Sequence, residues 1–287
     1  MKKLVKAIVA IIAVAAMLTM TACGASFDAN KNVAVVTRGD GSGTKSAFME
    51  IIGLKGKKDI SGAIIASDTA AVLVEVEGNP HAIAYDSLGY VTDEVKKLKV
   101  DGVEATVENI KNGSYKISRP LSVVYKEENM TGVNKAFYDF LLSKNAQEII
   151  SANGYVTNVE NPADYVKTDL SGSIAISGST SFRPLMTELA KAFENVEKSI
   201  TVTVQGGGSG TGYKDAENGI SAFGMISEVF SQSKAESCTF HTAALDGIAV
   251  IVNKANTMES ITMEQLKNIY DIDAGANAVK TWKQLGA

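Results

Sequence analysis

Three short loops of glycine, serine and threonine, each set between a strand-like run and a helix-like run, constrain this chain more than any other feature of its sequence. The first, Arg38-Gly39-Asp40-Gly41-Ser42-Gly43-Thr44, follows the β-prone Val33-Ala34-Val35-Val36-Thr37, and beyond it Ala47, Phe48, Ile51 and Ile52 recur at helical spacing. The second, Gly178-Ser179-Thr180-Ser181, joins the alternating residues 173–177 to a helix face marked by Met186, Leu189, Ala190 and Phe193. In the third, residues 200–205 alternate like a strand and run into Gly206-Gly207-Gly208-Ser209-Gly210-Thr211-Gly212. Loops of this kind, if they converge, form a cradle for an anion.

The reason is electrostatic. The first N–H groups of a helix have no partner inside the helix and carry the positive end of its dipole, so an oxyanion placed there meets donors already aimed at it. Glycine lets the backbone approach closely, and Ser and Thr add hydroxyl donors without bulk or charge. Arg38 is the one full charge that local sequence sets beside a loop. A guanidinium can engage an oxyanion through two parallel hydrogen bonds, and Asp40, two residues on, is read as the residue that orients it.

Composition narrows the function. Lys plus Arg number 28 against 32 Asp plus Glu, a net charge of -4, so the chain lacks the basic footprint of a nucleic-acid binder. With two Cys and two His it offers neither a disulfide scaffold nor a zinc site. The stretch Gly39-Asp40-Gly41-Ser42-Gly43-Thr44-Lys45-Ser46 approaches a nucleotide-binding P-loop but has Thr44 where the second glycine is needed. No Gly-x-Ser-x-Gly elbow occurs in the loops. His81, after Asn79-Pro80, reads as a solvated turn residue, and His241 as a satisfied structural histidine. Catalytic residues, metal and cofactor are accordingly not expected.

The N-terminus carries a destination. Lys2, Lys3 and Lys6 precede an uncharged stretch from 7 to 22, which has the form of a secretory signal and is too short and alanine-rich for a comfortable membrane span. It ends Met20-Thr21-Ala22-Cys23, which resembles a bacterial lipobox. Residues 1–22 are read as a signal peptide, Cys23 as the lipidated residue and 23–31 as a tether. The expected location is the outer face of a bacterial cell membrane. A plain signal peptide with an incidental cysteine is the alternative.

The loops, taken with Ala82-Ile83-Ala84-Tyr85-Asp86-Ser87-Leu88-Gly89-Tyr90, Ile117-Ser118-Arg119-Pro120-Leu121 and Ala244-Leu245-Asp246-Gly247-Ile248-Ala249-Val250, resemble the phosphate-binding proteins of ABC importers. That resemblance implies an α/β fold, a two-lobed periplasmic-binding-protein type II clamshell. It implies phosphate or a similar oxyanion as ligand, held by Arg38, Ser42, Gly43, Thr44, Ser179, Thr180, Ser181 and Ser209. It also implies ABC importer permease subunits as partners, attachment to the membrane through Cys23, no nucleic acid, and a monomer. In the family the Arg loop comes third; here it comes first, so the chain resembles a circular permutant, the alternative being a cut tandem chain. The lobes would be 118–245, containing a linker at about 153–171, and 32–117 with 246–287.

One departure bears on the ligand. The family motif Ala-Asp-Ile-Gly-Met-x-Ser carries an aspartate taken to accept the proton of bound phosphate, and here Ala222 stands at that position. A donor buried without an acceptor costs about 1 to 3 kcal/mol. The expectation is weakened phosphate binding, a substitute carboxylate such as Asp68 or Asp246, a sulfate-type ligand, or a degenerate surface-interaction protein. An extracellular phosphotransfer enzyme is a more distant alternative.

Overall fold

The computed structural model describes residues 26–287, so the signal segment 1–22 and Cys23 lie outside the described residues. Short apolar runs form strands: β1 (Ala34–Arg38), β2 (Ile64–Ala66), β3 (Ala82–Ser87), β4 (Val95–Val100), β5 (Ser118–Tyr125), β6 (Val156–Thr157), β7 (Gly172–Gly178), β8 (Ile200–Gly206), β9 (Phe223–Ile226), β10 (Thr239–Asn253) and β11 (Ser260–Ile261). β1 runs parallel to β2 and β3, and β7 runs parallel to β8 and β9. Parallel strands need crossover connections, and helices supply them. Between β7 and β8 the helix Arg183–Val196 buries Leu185, Met186, Leu189, Ala190 and Phe193, a single stripe at helical spacing.

The apolar residues collect into two main cores. One takes β1, β3, β4 and the far half of β10, with Phe48, Tyr85, Tyr270 and Trp282 among its members. The other takes β5, β7 and the near half of β10, with Phe137, Phe140, Phe182, Phe193 and Phe223. β10 is common to both. Its residues Thr239–Gly247 pair with β5, and Ile248–Val252 pair with β3. The sheet therefore passes from one core to the other along a single strand, and the crossover falls near Ser118 and Gly247, which are register partners.

A buried ion pair sits at that crossover. Arg119 on β5 lies opposite Asp246 on β10, with Nη2 3.0 Å and Nε 3.3 Å from Oδ2 and both side chains 1% exposed. Breaking such a pair from one side leaves an uncompensated charge in the interior, at a cost of about 3 to 5 kcal/mol, whereas replacing both partners by apolar residues is close to neutral. Arg119→Met is expected to lower the urea midpoint sharply, and Arg119→Met with Asp246→Leu to recover most of the loss. A double variant no more stable than the single one would contradict this account.

Two segments expected to be loose are packed. Within the proposed tether, Phe27 stacks on His81 and meets Trp282 edge-on, Asp28 donates its N–H to His81 Nε2 at 3.0 Å, and Lys283 donates to the Ala29 carbonyl at 2.7 Å. Residues 26–31 are thus docked, because an aromatic ring at position 27 finds an apolar seat. His81 is correspondingly a half-buried packing residue and not a solvated one. In the 153–171 linker, Tyr155 is buried, β6 pairs with β10, and the Tyr165 hydroxyl donates to Glu197 Oε1 at 2.8 Å. It is a packed strap. His241 packs edge-on against Tyr138, but its buried Nε2 has no partner, so it is structural without being satisfied. Burial lowers its pKa and favours the neutral ring.

Candidate anion-binding site

The three loops meet. Each stands at the carboxyl end of a parallel strand, β1, β7 or β8, which is where open α/β sheets place their ligands. Ser42 caps the helix Gly43–Ile51 by accepting the Lys45 N–H, and Ser179 accepts the Phe182 N–H at the entry to Arg183–Val196. Gly208 precedes the helix Ser209–Glu217 at φ 89°, a left-handed conformation that glycine adopts without strain. The Gly210 N–H donates to the Gly41 carbonyl at 3.0 Å, joining the first loop to the third.

Arg38 closes the ring. It is 3% exposed, donates from Nη1 to Thr69 Oγ1 at 3.2 Å, and reaches from Nη2 to Thr180 Oγ1 at 3.1 Å in the other core's loop. Thr44 and Ser181 hydroxyls are 2.8 Å apart, those of Thr69 and Thr180 2.9 Å. Ser179 donates to Ser227 Oγ at 2.9 Å, while Ser209 Oγ accepts the Ser227 N–H at 3.0 Å. The hydroxyls of Thr44, Thr69, Ser179, Thr180, Ser181, Ser209 and Ser227 are therefore partnered with one another within one buried region, and each can rotate toward an anion entering it. Burial lowers the Arg38 pKa, and the neighbouring Asp86 opposes that shift. The guanidinium nonetheless remains a cation at any physiological pH.

All eight residues named from the sequence, Arg38, Ser42, Gly43, Thr44, Ser179, Thr180, Ser181 and Ser209, come to this region; Ser42 serves mainly as a helix cap. Asp40 does not orient Arg38. Its side chain is fully exposed and pairs with Lys45 Nζ at 3.1 Å, because the turn at Gly39 carries it away from the strand's end. Two residues were missed. Thr69 begins a fourth helix, Thr69–Gly78, after the short strand β2, and Asp68 accepts the Ala71 N–H as its N-cap. The signal available was that Asp-Thr pair following an apolar run. Ser227, at the end of β9, ties the second loop to the third.

Ala222 is not in the site. The register pairs Phe223 with Ile176 and Met225 with Gly178, so Ala222 lies at the far end of β9, its N–H bonded to the Ala175 carbonyl. It is Ser227 that reaches the loops. The substitution at 222 therefore removes no group from the cradle. The two proposed substitutes are engaged elsewhere: Asp68 is a helix cap and Asp246 is paired with Arg119.

Comparison with known proteins gives this geometry a lineage. A family model described as the PBP superfamily domain matches residues 23–145 and 164–287. The phosphate-binding protein PstS 2 of Streptococcus agalactiae serotype V is 37% identical over 245 residues, 82% of this chain and 83% of that protein. The protein of the same name from Streptococcus pneumoniae serotype 4 is 32% identical over 278 residues, 93% of this chain and 94% of its own. The crystal structure of a phosphate-binding protein of a phosphate ABC transporter from Streptococcus pneumoniae TIGR4 superposes with a TM-score of 0.70 at 32% identity, covering 88% of this chain and 99% of that one. With the match of sequence, fold and extent, the chain belongs to the PBP superfamily and, within it, to the PstS-like proteins.

Proposed function

We propose that this protein captures inorganic phosphate outside the cell and delivers it to the permease subunits of an ABC importer. The observation that carries the reading is Arg38 reaching from the end of β1 to Thr180 on the opposite loop, amid a buried set of hydroxyls and helix N-termini. A small tetrahedral oxyanion fits such a place because it needs many donors and little room. The relatives are named for binding phosphate, which supports phosphate over other oxyanions.

The ligand residues are proposed to be Arg38, Gly43, Thr44, Ser179, Thr180, Ser181 and Ser209, with Ser42 as cap and Thr69 and Ser227 as further donors. The lobes are proposed to hinge where β5 and β10 cross, closing over the anion and excluding water. The protein is proposed to act as a monomer, exported and anchored through Cys23. Among the described residues no helix is long and apolar enough to cross a membrane. The order of the loops, with the Arg38 loop first, is proposed to be a circularly permuted form of the family's order.

A ligand that binds only the folded state raises its stability by RT ln(1 + [L]/Kd). Phosphate at about a hundred times its Kd is therefore expected to add about 2.7 kcal/mol and raise the melting temperature by several degrees, with sulfate at the same concentration doing less. A melting curve indifferent to millimolar phosphate would remove the proposal.

A further inference from the structure

Asp86 is the fifth residue of β3 and has no exposed surface. One carboxylate oxygen accepts the Ser87 N–H at 2.7 Å; the other, Oδ2, is buried with no hydrogen-bond partner. β1 and β3 pair in parallel through Ala34↔Ala82 and Val35↔Ile83, and past that pairing Thr37 and Arg38 still meet the Tyr85 hydroxyl, so Arg38 and Asp86 stand near each other at the carboxyl ends of the two strands. Neighbouring residues on parallel strands project to the same face. Arg38 Nε is also buried and without a partner. Buried polar atoms are nearly always hydrogen-bonded, so two open ones on a neighbouring arginine and aspartate call for a reason.

The charged and titratable groups close enough to act on Asp86 are Arg38 from β1, Arg119 from β5, Asp246 from β10 and the Tyr155 hydroxyl from the strap. Arg119 and Asp246 neutralise each other. Arg38 is then the cation whose charge is offset or left open according to the state of Asp86. We propose that Asp86 sets the affinity of the cleft for its anion: protonated, it leaves the Arg38 charge to the ligand, and ionised, it neutralises that charge within the protein. The inference rests on the phosphate reading above. Asp86 acts through Arg38 and is a positioning residue.

The direction of the pH dependence follows. Burial pushes the Asp86 carboxyl up to about 8, against the pull of the Ser87 N–H and the two arginines. A bound anion disfavours its ionised form further, so the carboxyl titrates at higher pH in the complex than in the free protein. Below about pH 8 it is already neutral and contributes no pH dependence. As pH rises beyond that point, binding takes up a proton from solvent and affinity falls, by at most about tenfold per pH unit.

Phosphate titrations by calorimetry on both sides of about pH 8, on the intact protein and on Asp86→Asn, test this. The ligand's own titration is common to both proteins, so the difference between their profiles belongs to Asp86. The expected result is a loss of affinity above that pH, with proton uptake visible in buffers of different ionisation enthalpy, that Asp86→Asn lacks. Profiles that superimpose would overturn the proposal. Carbon-13 NMR of the unsubstituted protein's carboxyls gives a second measurement that needs no variant. The Asp86 midpoint should rise on adding saturating phosphate, and an unmoved midpoint overturns the proposal. A protein that binds phosphate at no pH removes the functional reading and this inference together, whereas binding with superimposed profiles removes this inference alone.

Discussion

Arg38→Ala is expected to lose phosphate binding by roughly thirty- to several-thousandfold in Kd, the equivalent of about 2 to 5 kcal/mol. Among the described residues the Arg38 guanidinium is the cation whose hydrogen bonds reach across the cleft, to Thr69 on one side and Thr180 on the other. Arg38 is 3% exposed, so its charge is poorly screened by solvent. Arg38→Lys keeps the charge but has no planar fork, so it cannot hold Thr69, Thr180 and an anion at once, and an intermediate loss is expected. Isothermal titration with phosphate reads both, and circular dichroism checks that the variants fold. A Kd for Arg38→Ala within about threefold of the parent would refute the placement of the ligand.

Gly43→Ala is expected to weaken phosphate binding by roughly five- to 150-fold while leaving the fold intact, from an overpacking cost of about 1 to 3 kcal/mol. A Cβ at Gly43 would lie 2.2 Å from Ser209 Oγ, 2.9 Å from Ser209 Cβ and 2.9 Å from Ser227 Oγ. The Ser209 hydroxyl can rotate away; its Cβ cannot. Relief therefore comes from moving the first loop away from the third, which is the motion of opening. Alanine is otherwise a good helix residue at the start of Gly43–Ile51, so the local helix should not suffer. Small-angle scattering should show the parent compacting with phosphate and the variant failing to do so. Equal compaction in both would mean that the two loops do not meet in the closed state.

These two residues lay within reach of the sequence because the chemistry that selects them is local. A strand that ends in Arg-Gly-x-Gly-Ser-Gly-Thr and continues into a helix advertises both the charge and the unfilled N–H groups next to it. The same local reasoning misplaced Asp40, since closeness along the chain across a glycine turn says nothing about direction. It also attached importance to Ala222 from its place in a motif, while the register of β9 against β7 puts that residue at the wrong end of the strand. Asp86 could not be singled out, because its neighbour Arg38 is brought to it by strand pairing. Thr69 escaped because its strand, β2, is only three residues long and offers little periodicity.

What the sequence determined by itself was the set of strand, loop and helix units, the residue types able to hold an oxyanion, and the family to which they belong, since backbone conformation and helix capping depend on residues a few positions apart. Which loops face one another, which carboxylate stands beside Arg38, and that residues 26–31 dock on Trp282 were decided only in the tertiary structure. Those outcomes turn on strand register and on burial, and both couple residues far apart in the chain whose pairing no local pattern encodes.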